Sequence, residues 1–380
     1  MNTKRTYISL FDQEIRALFR NAWRITRADP ALRGFFWKAV LAQGKAARVR
    51  KGWRQKGLQV PPLLICSITN RCNLNCVGCY AHALARAFHR GEQGEMSKEK
   101  LESVLFEAHE LGISIILLAG GEPLVRKDLM EVTAHYPDII FPVFTNGLLI
   151  DDELIERFQR QRNVVPVISL EGYADDTDQR RGKGIYAHLK KIIGKMEGKG
   201  IFLGCSLTVN RDNFDIVLED AFVQEMIASG CRLFFFIEYV PIQEGTETLL
   251  LTETQRLTLR RMTKTMGQRF PGLFISFPGD EVEYGGCLSA GRGFLHISAG
   301  GAVEPCPFAP YSDASLQQVS LREALQSDFL RQIRENHDKL SELEGGCALW
   351  ANREWVRSLL PPSGHSPAEV SLSSKIGGEK

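Results

Sequence analysis

From residue 61 onward, short apolar runs alternate with longer stretches in which apolar positions recur every three to four residues. The runs at 62–68, 113–119, 139–145, 164–170, 202–209 and 232–240 predict strands, and the stretches at 97–111, 126–136, 151–161, 184–198 and 214–229 predict helices between them. Parallel neighbours need a crossover between them, so this order predicts a parallel sheet with helices on its outer face. Six β/α steps are fewer than the eight that close a full barrel. Beyond about residue 255 the alternation fades. A helix is expected at 253–268, and F-L-H-I-S and A-V-E-P around the turn at Gly300–Gly301 predict a β-hairpin. A further helical pattern covers 320–337. The expected division is 1–60 a basic amphipathic helical segment, 61–255 the barrel, 256–360 a small α+β extension and 361–380 a Ser-, Gly-, Pro- and Lys-rich disordered tail.

The N-terminal segment has its own pattern. Leu10, Phe11, Ile15, Leu18, Phe19 and Ile25 fall at helical spacing beside a stripe of Arg16, Arg20, Arg24 and Arg27. A second stretch, 31–53, sets Phe35, Phe36, Trp37 and Trp53 among basic residues. Residues 1–60 hold 14 Lys and Arg against 3 Asp and Glu, although the whole chain carries only +2. Two readings follow: helices packed across the barrel with solvated basic faces, or an interfacial segment on anionic lipid. Nucleic acid or an acidic peptide is the weaker expectation.

At 380 residues the chain can hold a barrel and a smaller domain, and 44% hydrophobic with 24% charged residues is ordinary for a globular protein. No apolar run is long enough to span a bilayer, and no signal peptide is evident. Nine cysteines, an odd number, without an export signal favour a reducing cytoplasm and metal ligation over disulfides. The expected location is cytoplasmic, peripheral at the inner membrane face if the basic segment binds lipid.

Chemistry concentrates at residues 66–80, C-S-I-T-N-R-C-N-L-N-C-V-G-C-Y. Cys66 belongs to the first strand. Cys72, Cys76 and Cys79 belong to the loop leaving its C-terminal end, where an α/β barrel builds its active site. A structural zinc site wants four ligands, and no second C-x2-C pair follows. Three thiolates on a cubane iron–sulfur cluster leave one iron without a protein ligand.

The C-x3-C-x2-C loop and the segments after it resemble the radical S-adenosylmethionine (SAM) superfamily. That resemblance implies a partial (β/α)6 TIM-like barrel, and a 4Fe–4S cluster on Cys72, Cys76 and Cys79 whose open iron chelates SAM. It further implies reductive cleavage of SAM to a 5′-deoxyadenosyl radical that abstracts hydrogen from substrate. The family usually has an aromatic residue before the third cysteine; this chain has Gly78, with Tyr80 just beyond as a cofactor-side residue. Gly120, Gly121, Glu122 and Pro123, after the second strand, match the segment that binds SAM's amino group. By the same resemblance Asn146, Ser169 and Glu171 at the ends of the third and fourth strands, Arg181 for SAM's carboxylate, and Asn210 after the fifth strand are cofactor candidates. Of Arg180 and Arg181, one is expected to be a surface residue, and Arg181 is favoured for the site. Glu238, on the sixth strand, is either a cavity acid or a satisfied structural carboxylate.

Cys287 and Cys306 in the pattern C-x13-G-x4-C resemble the opening of SPASM and twitch auxiliary-cluster domains, and Gly345-Gly346-Cys347 follows. The resemblance assigns Cys287, Cys306 and Cys347 to a second iron–sulfur cluster, the fourth ligand being Cys231, a histidine or none. Cys205 and Cys231 otherwise read as packed thiols. The expected function is a radical SAM enzyme whose auxiliary cluster aids oxidation or bond formation, with flavodoxin or ferredoxin as electron donor and a membrane-associated or lipid-like organic substrate. The alternatives are a peptide-modifying radical SAM maturase and a non-catalytic iron–sulfur sensor or scaffold.

Overall fold

The computed structural model describes residues 22–27, 29–84, 94–278, 284–340 and 347–360. Most of the N-terminal apolar stripe, Gly345, Gly346 and the expected tail lie outside these residues. Among the described residues nine strands form one sheet: β1 Leu63–Thr69, β2 Ile115–Gly120, β3 Phe141–Thr145, β4 Val164–Leu170, β5 Leu203–Val209, β6 Cys231–Glu238, β7 Leu273–Phe277, β8 Phe294–Ile297 and β9 Val303–Glu304. Their order is β7-β6-β5-β4-β3-β2-β1-β8-β9. Every pairing is parallel except β8 with β9. The two edges do not pair, so the sheet is an unclosed, partial barrel, as expected.

The expected hairpin forms, with His296 opposite Glu304, and it joins the barrel sheet through parallel pairing of β8 with β1. A seventh parallel strand was not expected. β7 follows the helix Glu253–Arg269, and Phe274 stacks on Phe234 of β6 at 4.8 Å. Its five residues between Pro271-Gly272 and Pro278 make a short run, and tertiary pairing with β6 decides its state.

The crossover helices follow their local signals. Ser97 accepts a hydrogen bond from Lys100 N to cap Lys98–Leu111, and Gly112 ends that helix at φ +83°. The expected helix at 214–229 divides into Phe214–Leu218 and Asp220–Ala228, because Glu219 takes an extended backbone between them. The pattern at 320–337 likewise divides, with Ser320 and Ser327 each capping a short helix.

Strand alternation separates two apolar clusters. Leu64, Cys66 and Ile68 of β1 and Phe234 and Phe236 of β6 pack in the layer that also holds the crossover helices. Val165 and Val167 of β4, Leu233 and Phe235 of β6 and Leu273 of β7 pack on the concave face with Ala22, Ile25, Leu32 and Phe36. The described residues between Ala22 and Phe36 therefore pack into the barrel. Phe36 meets Phe202 edge-on at 5.1 Å, and burying each large side chain here contributes roughly 1.5–3 kcal/mol.

The helix Arg33–Gln55 then crosses the end where the strands begin. Arg50 is buried and donates to Gly112 O at 2.6 Å, Ser114 donates to Gln43 at 2.6 Å, and Lys45 pairs with Asp138 at 3.4 Å. These partners precede β2 and β3. Arg24 donates to the carbonyls of Gly267 and Gln268 at the end of the helix before β7. Packing across the barrel is thus what the described part of this segment does, while Trp23, Trp37 and Leu41 remain exposed.

Candidate cofactor site

The loop after β1 and the turn after β2 are laced together by their backbones. Gly121 N donates to Thr69 O and Glu122 N to Arg71 O, both at 2.8 Å. A Cβ on Gly120 would run into Thr69 O and one on Gly121 into Arg71 O, so both glycines serve the approach of these two chain segments. This places Gly120-Gly121-Glu122 directly against the loop that carries Cys72, Cys76 and Cys79.

Glu122 is buried and largely committed. Oε1 accepts from Thr145 Oγ1 at 2.7 Å and Leu124 N at 3.1 Å, and Oε2 accepts from Asn146 N at 2.7 Å. Burial raises its carboxyl above the usual range, opposed by those three hydrogen bonds. About four acceptor positions exist on a carboxylate, so about one is left for an ammonium. Asn146 in turn donates to Asn73 Oδ1 at 2.7 Å, joining the β3 end to the cysteine loop. Pro123 is buried and opens a single helical turn, Pro123–Val125.

Across the site, Glu171 holds two arginines. Arg181 Nε and Nη2 reach its Oε1 at 3.0 and 2.5 Å, and Arg180 Nη1 lies 2.7 Å from Oε2 as an ion pair. Arg180 is also bonded to the cysteine loop twice: its Nε donates to Val77 O at 3.0 Å, and its carbonyl accepts from Val77 N at 3.1 Å. The expectation that one of the pair is a surface residue is therefore wrong for both, whose side chains are 18% and 11% exposed. Adjacent residues on one helical turn reach the same carboxylate because Arg180 extends its chain along the loop.

Burial raises the Cys72 thiol to about 11, and the neighbouring charges of Glu122, Cys76 and Cys79 add to this against a hydrogen bond from Leu74 N. Burial also raises Cys76, opposed by Arg181 and then Arg180. The three thiols thus feel one another and the arginine pair. Thiolates in such a place need cationic charge between them, which a metal cluster supplies. Among the described residues no three His, Cys, Asp or Glu side chains close around a single metal ion. A cubane takes each thiolate on a different iron, and three thiols on one loop are a donor set of that kind.

The remaining candidates differ in standing. Ser169 lies at the β4 end on the same face as Val165 and Val167, and accepts from Ser206 at 3.2 Å. Asn210 spends its side-chain oxygen on the backbone N–H groups of Asp212 and Asn213. Asn213, which the sequence did not single out, donates to Glu171 O and Thr208 O and ties the β4 end to β5. Glu238 is buried and falls in step with Phe234 and Phe236, on the helix side of β6.

Cys287, Cys306 and Cys347 are all buried, and burial followed by the neighbouring Cys347 and Cys287 lifts the Cys306 thiol well above its ordinary value. The three converge in an apolar setting, a donor set that again fits a thiolate-bound cluster. Cys231 is not among them. It packs against Cys205 across β5 and β6, which removes it as a fourth ligand. Tyr80, next to Cys79, meets Phe308 edge-on at 5.1 Å, so an aromatic contact joins the two cysteine groups.

Residues 66–218 match the model of the Radical SAM superfamily. Fe-coproporphyrin III synthase of Methanosarcina barkeri is 31% identical over 220 residues, which span 55% of this chain and only 54% of that protein. Mycofactocin maturase MftC of Mycobacterium tuberculosis is 27% identical over 304 residues, 74% of each chain. Among solved structures, SuiB of Streptococcus suis bound to S-adenosylmethionine superposes with a TM-score of 0.61 at 18% identity, covering 80% of this chain and 75% of that one. That likeness speaks to fold. Residues 66–218, which include the three-thiol loop after β1, are thus what this chain has in common with the Radical SAM superfamily.

Proposed function

We propose that this chain is a radical SAM enzyme with a second iron–sulfur centre. Cys72, Cys76 and Cys79 would hold a 4Fe–4S cluster, and Cys287, Cys306 and Cys347 an auxiliary one. When bound, the first cluster and SAM supply a one-electron cleavage that yields a hydrogen-abstracting radical. The chain's own contribution is placement. Arg181, its fork steadied by Glu171, has donors left for a carboxylate, and Glu122 has an acceptor position left for an ammonium. Gly120 and Gly121 bring that turn to the cysteine loop.

The observation carrying this reading is the pair of backbone bonds from Gly121 and Glu122 to Thr69 and Arg71, which put the two motifs in one place. Anaerobic reconstitution tests it. About eight irons per chain and formation of 5′-deoxyadenosine from SAM are expected with dithionite as reductant. Iron without cleavage would favour the non-catalytic scaffold.

For substrate, a peptide is our reading, supported by the fold shared with SuiB of Streptococcus suis, which was solved bound to its precursor peptide SuiA. The match to Fe-coproporphyrin III synthase supports an iron porphyrin instead, over a shorter span. A lipid drawn from a bilayer fits less well, because the basic helix Arg33–Gln55 lies at the end where the strands begin and the cysteine loop at the end where they finish. Among the described residues no helix is long and apolar enough to cross a membrane. A small flavodoxin or ferredoxin remains the proposed electron donor, and the cytoplasm the proposed location.

A further inference from the structure

The helix Arg33–Gln55 turns one face to the barrel and the other away from it. Phe36, Ala39, Gln43, Ala46 and Arg50 make its buried row. At about 100° per residue, Trp37, Leu41 and Arg48 fall near the middle of the opposite side. Trp37 is 67% exposed and Leu41 57%, and Val40 beside them is exposed as well. A Cβ added at Gly34, Gly44 or Gly52 would meet no atom within 4 Å, so among the described residues nothing covers this outer face.

Charge on the helix has one sign. It carries seven Lys and Arg and no Asp or Glu, although the whole chain sums to only +2. Arg50 belongs to the buried row. Lys38 and Lys45 flank Trp37 and Leu41 on one side and Arg33 and Lys51 on the other, all four exposed, with Lys45 also paired to Asp138. Exposed apolar side chains scattered singly are ordinary. A Trp and a Leu one turn apart, at the centre of a face bordered by cations, form a patch with a particular chemistry. An anion alone would answer the cations and leave Trp37 and Leu41 in water. The interface of an anionic bilayer answers both, since headgroups meet the Lys and Arg ends while Trp and Leu enter the boundary with the acyl chains.

We infer that the outer face of the helix Arg33–Gln55 docks the protein on an anionic lipid bilayer, through Trp37 and Leu41 with Lys38, Lys45, Arg48 and Lys51 around them. The helix lies at the end of the barrel where the strands begin, so the docked chain turns the cysteine loop away from the lipid. Substrate and electron donor then approach from solvent, as a peptide substrate requires. This inference stands on the helix and is independent of the chemistry proposed at the cysteines.

The test is sedimentation of the full chain with vesicles of phosphatidylcholine holding about one third phosphatidylglycerol, against vesicles of phosphatidylcholine alone. Binding is expected on the mixed vesicles only, weakening tenfold or more as salt rises from about 0.1 M to about 0.5 M. Lys38→Ala and Arg48→Ala should each weaken it roughly fivefold, and Trp37→Ser with Leu41→Ser together by about tenfold or more. Circular dichroism and melting should stay native in all of them, because these side chains face away from the barrel. Losses in the charge variants but not in the Trp37→Ser, Leu41→Ser chain would make the face a polyanion site and overturn the inference. Equal binding to neutral vesicles, or binding to neither kind, would overturn it too. So would a native chain that is dimeric by light scattering without lipid and monomeric with both serine substitutions, which would give the face to a second copy.

Discussion

His296 Nε2 lies 2.8 Å from Ser67 Oγ, bonding β8 to β1 through side chains as well as through their parallel ladder. On its other side, His296 Nδ1 lies 2.7 Å from Glu304 Oε2 in β9. One ring nitrogen thus faces the serine hydroxyl and the other the carboxylate. The imidazole is fully buried, so this chain of three side chains fastens the C-terminal hairpin to the strand that leads into the cysteine loop. His296→Ala removes the bonds to Ser67 and Glu304 from a buried site and is expected to cost about 3 kcal/mol, read as a lower denaturation midpoint of the metal-free protein. His296→Gln, which can still bond Ser67, should lose less.

Gly121→Ala places a methyl group against Arg71 O, and backbone on both sides leaves little room to yield. The turn after β2 must then withdraw from the cysteine loop. The far-ultraviolet circular dichroism should stay native while SAM affinity falls by tenfold or more, roughly the loss of one or two well-placed hydrogen bonds. Native affinity would show that the close approach is dispensable.

Much of this was readable from the chain. The strands announced themselves as apolar runs because both faces of a covered parallel sheet are buried, and β4 begins and ends where its run does. The three-thiol loop was readable from spacing alone. What was not readable depends on contacts between distant positions. Arg180 looked like half of a redundant pair, and only the fold brings it to Val77, 103 residues away. Ser67 and His296 are 229 residues apart, and no local pattern links a strand serine to a strand histidine. The contact of Tyr239 with Gly78 was hidden in the same way. Glu238 is different, since counting by twos from Phe234 and Phe236 already turns it away from the lumen.

Arg180 and Arg181 should fail differently. Arg180→Ala removes a bond to the cysteine loop and one ion pair to Glu171, so iron should be lost faster from the first site during gel filtration. Arg181→Lys keeps the charge but not the two-point grip on Glu171 Oε1. Iron should be retained and SAM bound roughly tenfold more weakly.

Cys66 gives a pH dependence with a definite sign. Burial pushes its thiol from 9.0 to about 12, with Arg126 opposing. The folded state therefore favours the protonated thiol. That contribution is complete below about pH 9 and is lost as pH climbs toward 12. Denaturation midpoints of the metal-free protein should fall over this interval, and less steeply in Cys66→Ala. Equal slopes would show that Cys66 does not carry the effect.

The most direct measurement compares native chain and Cys76→Ala after anaerobic reconstitution, counting iron and 5′-deoxyadenosine in the same samples. The native chain should hold about eight irons and form 5′-deoxyadenosine, and the variant about four with none formed. Undiminished cleavage by Cys76→Ala, or iron lost from neither site, would contradict a cluster held by Cys72, Cys76 and Cys79.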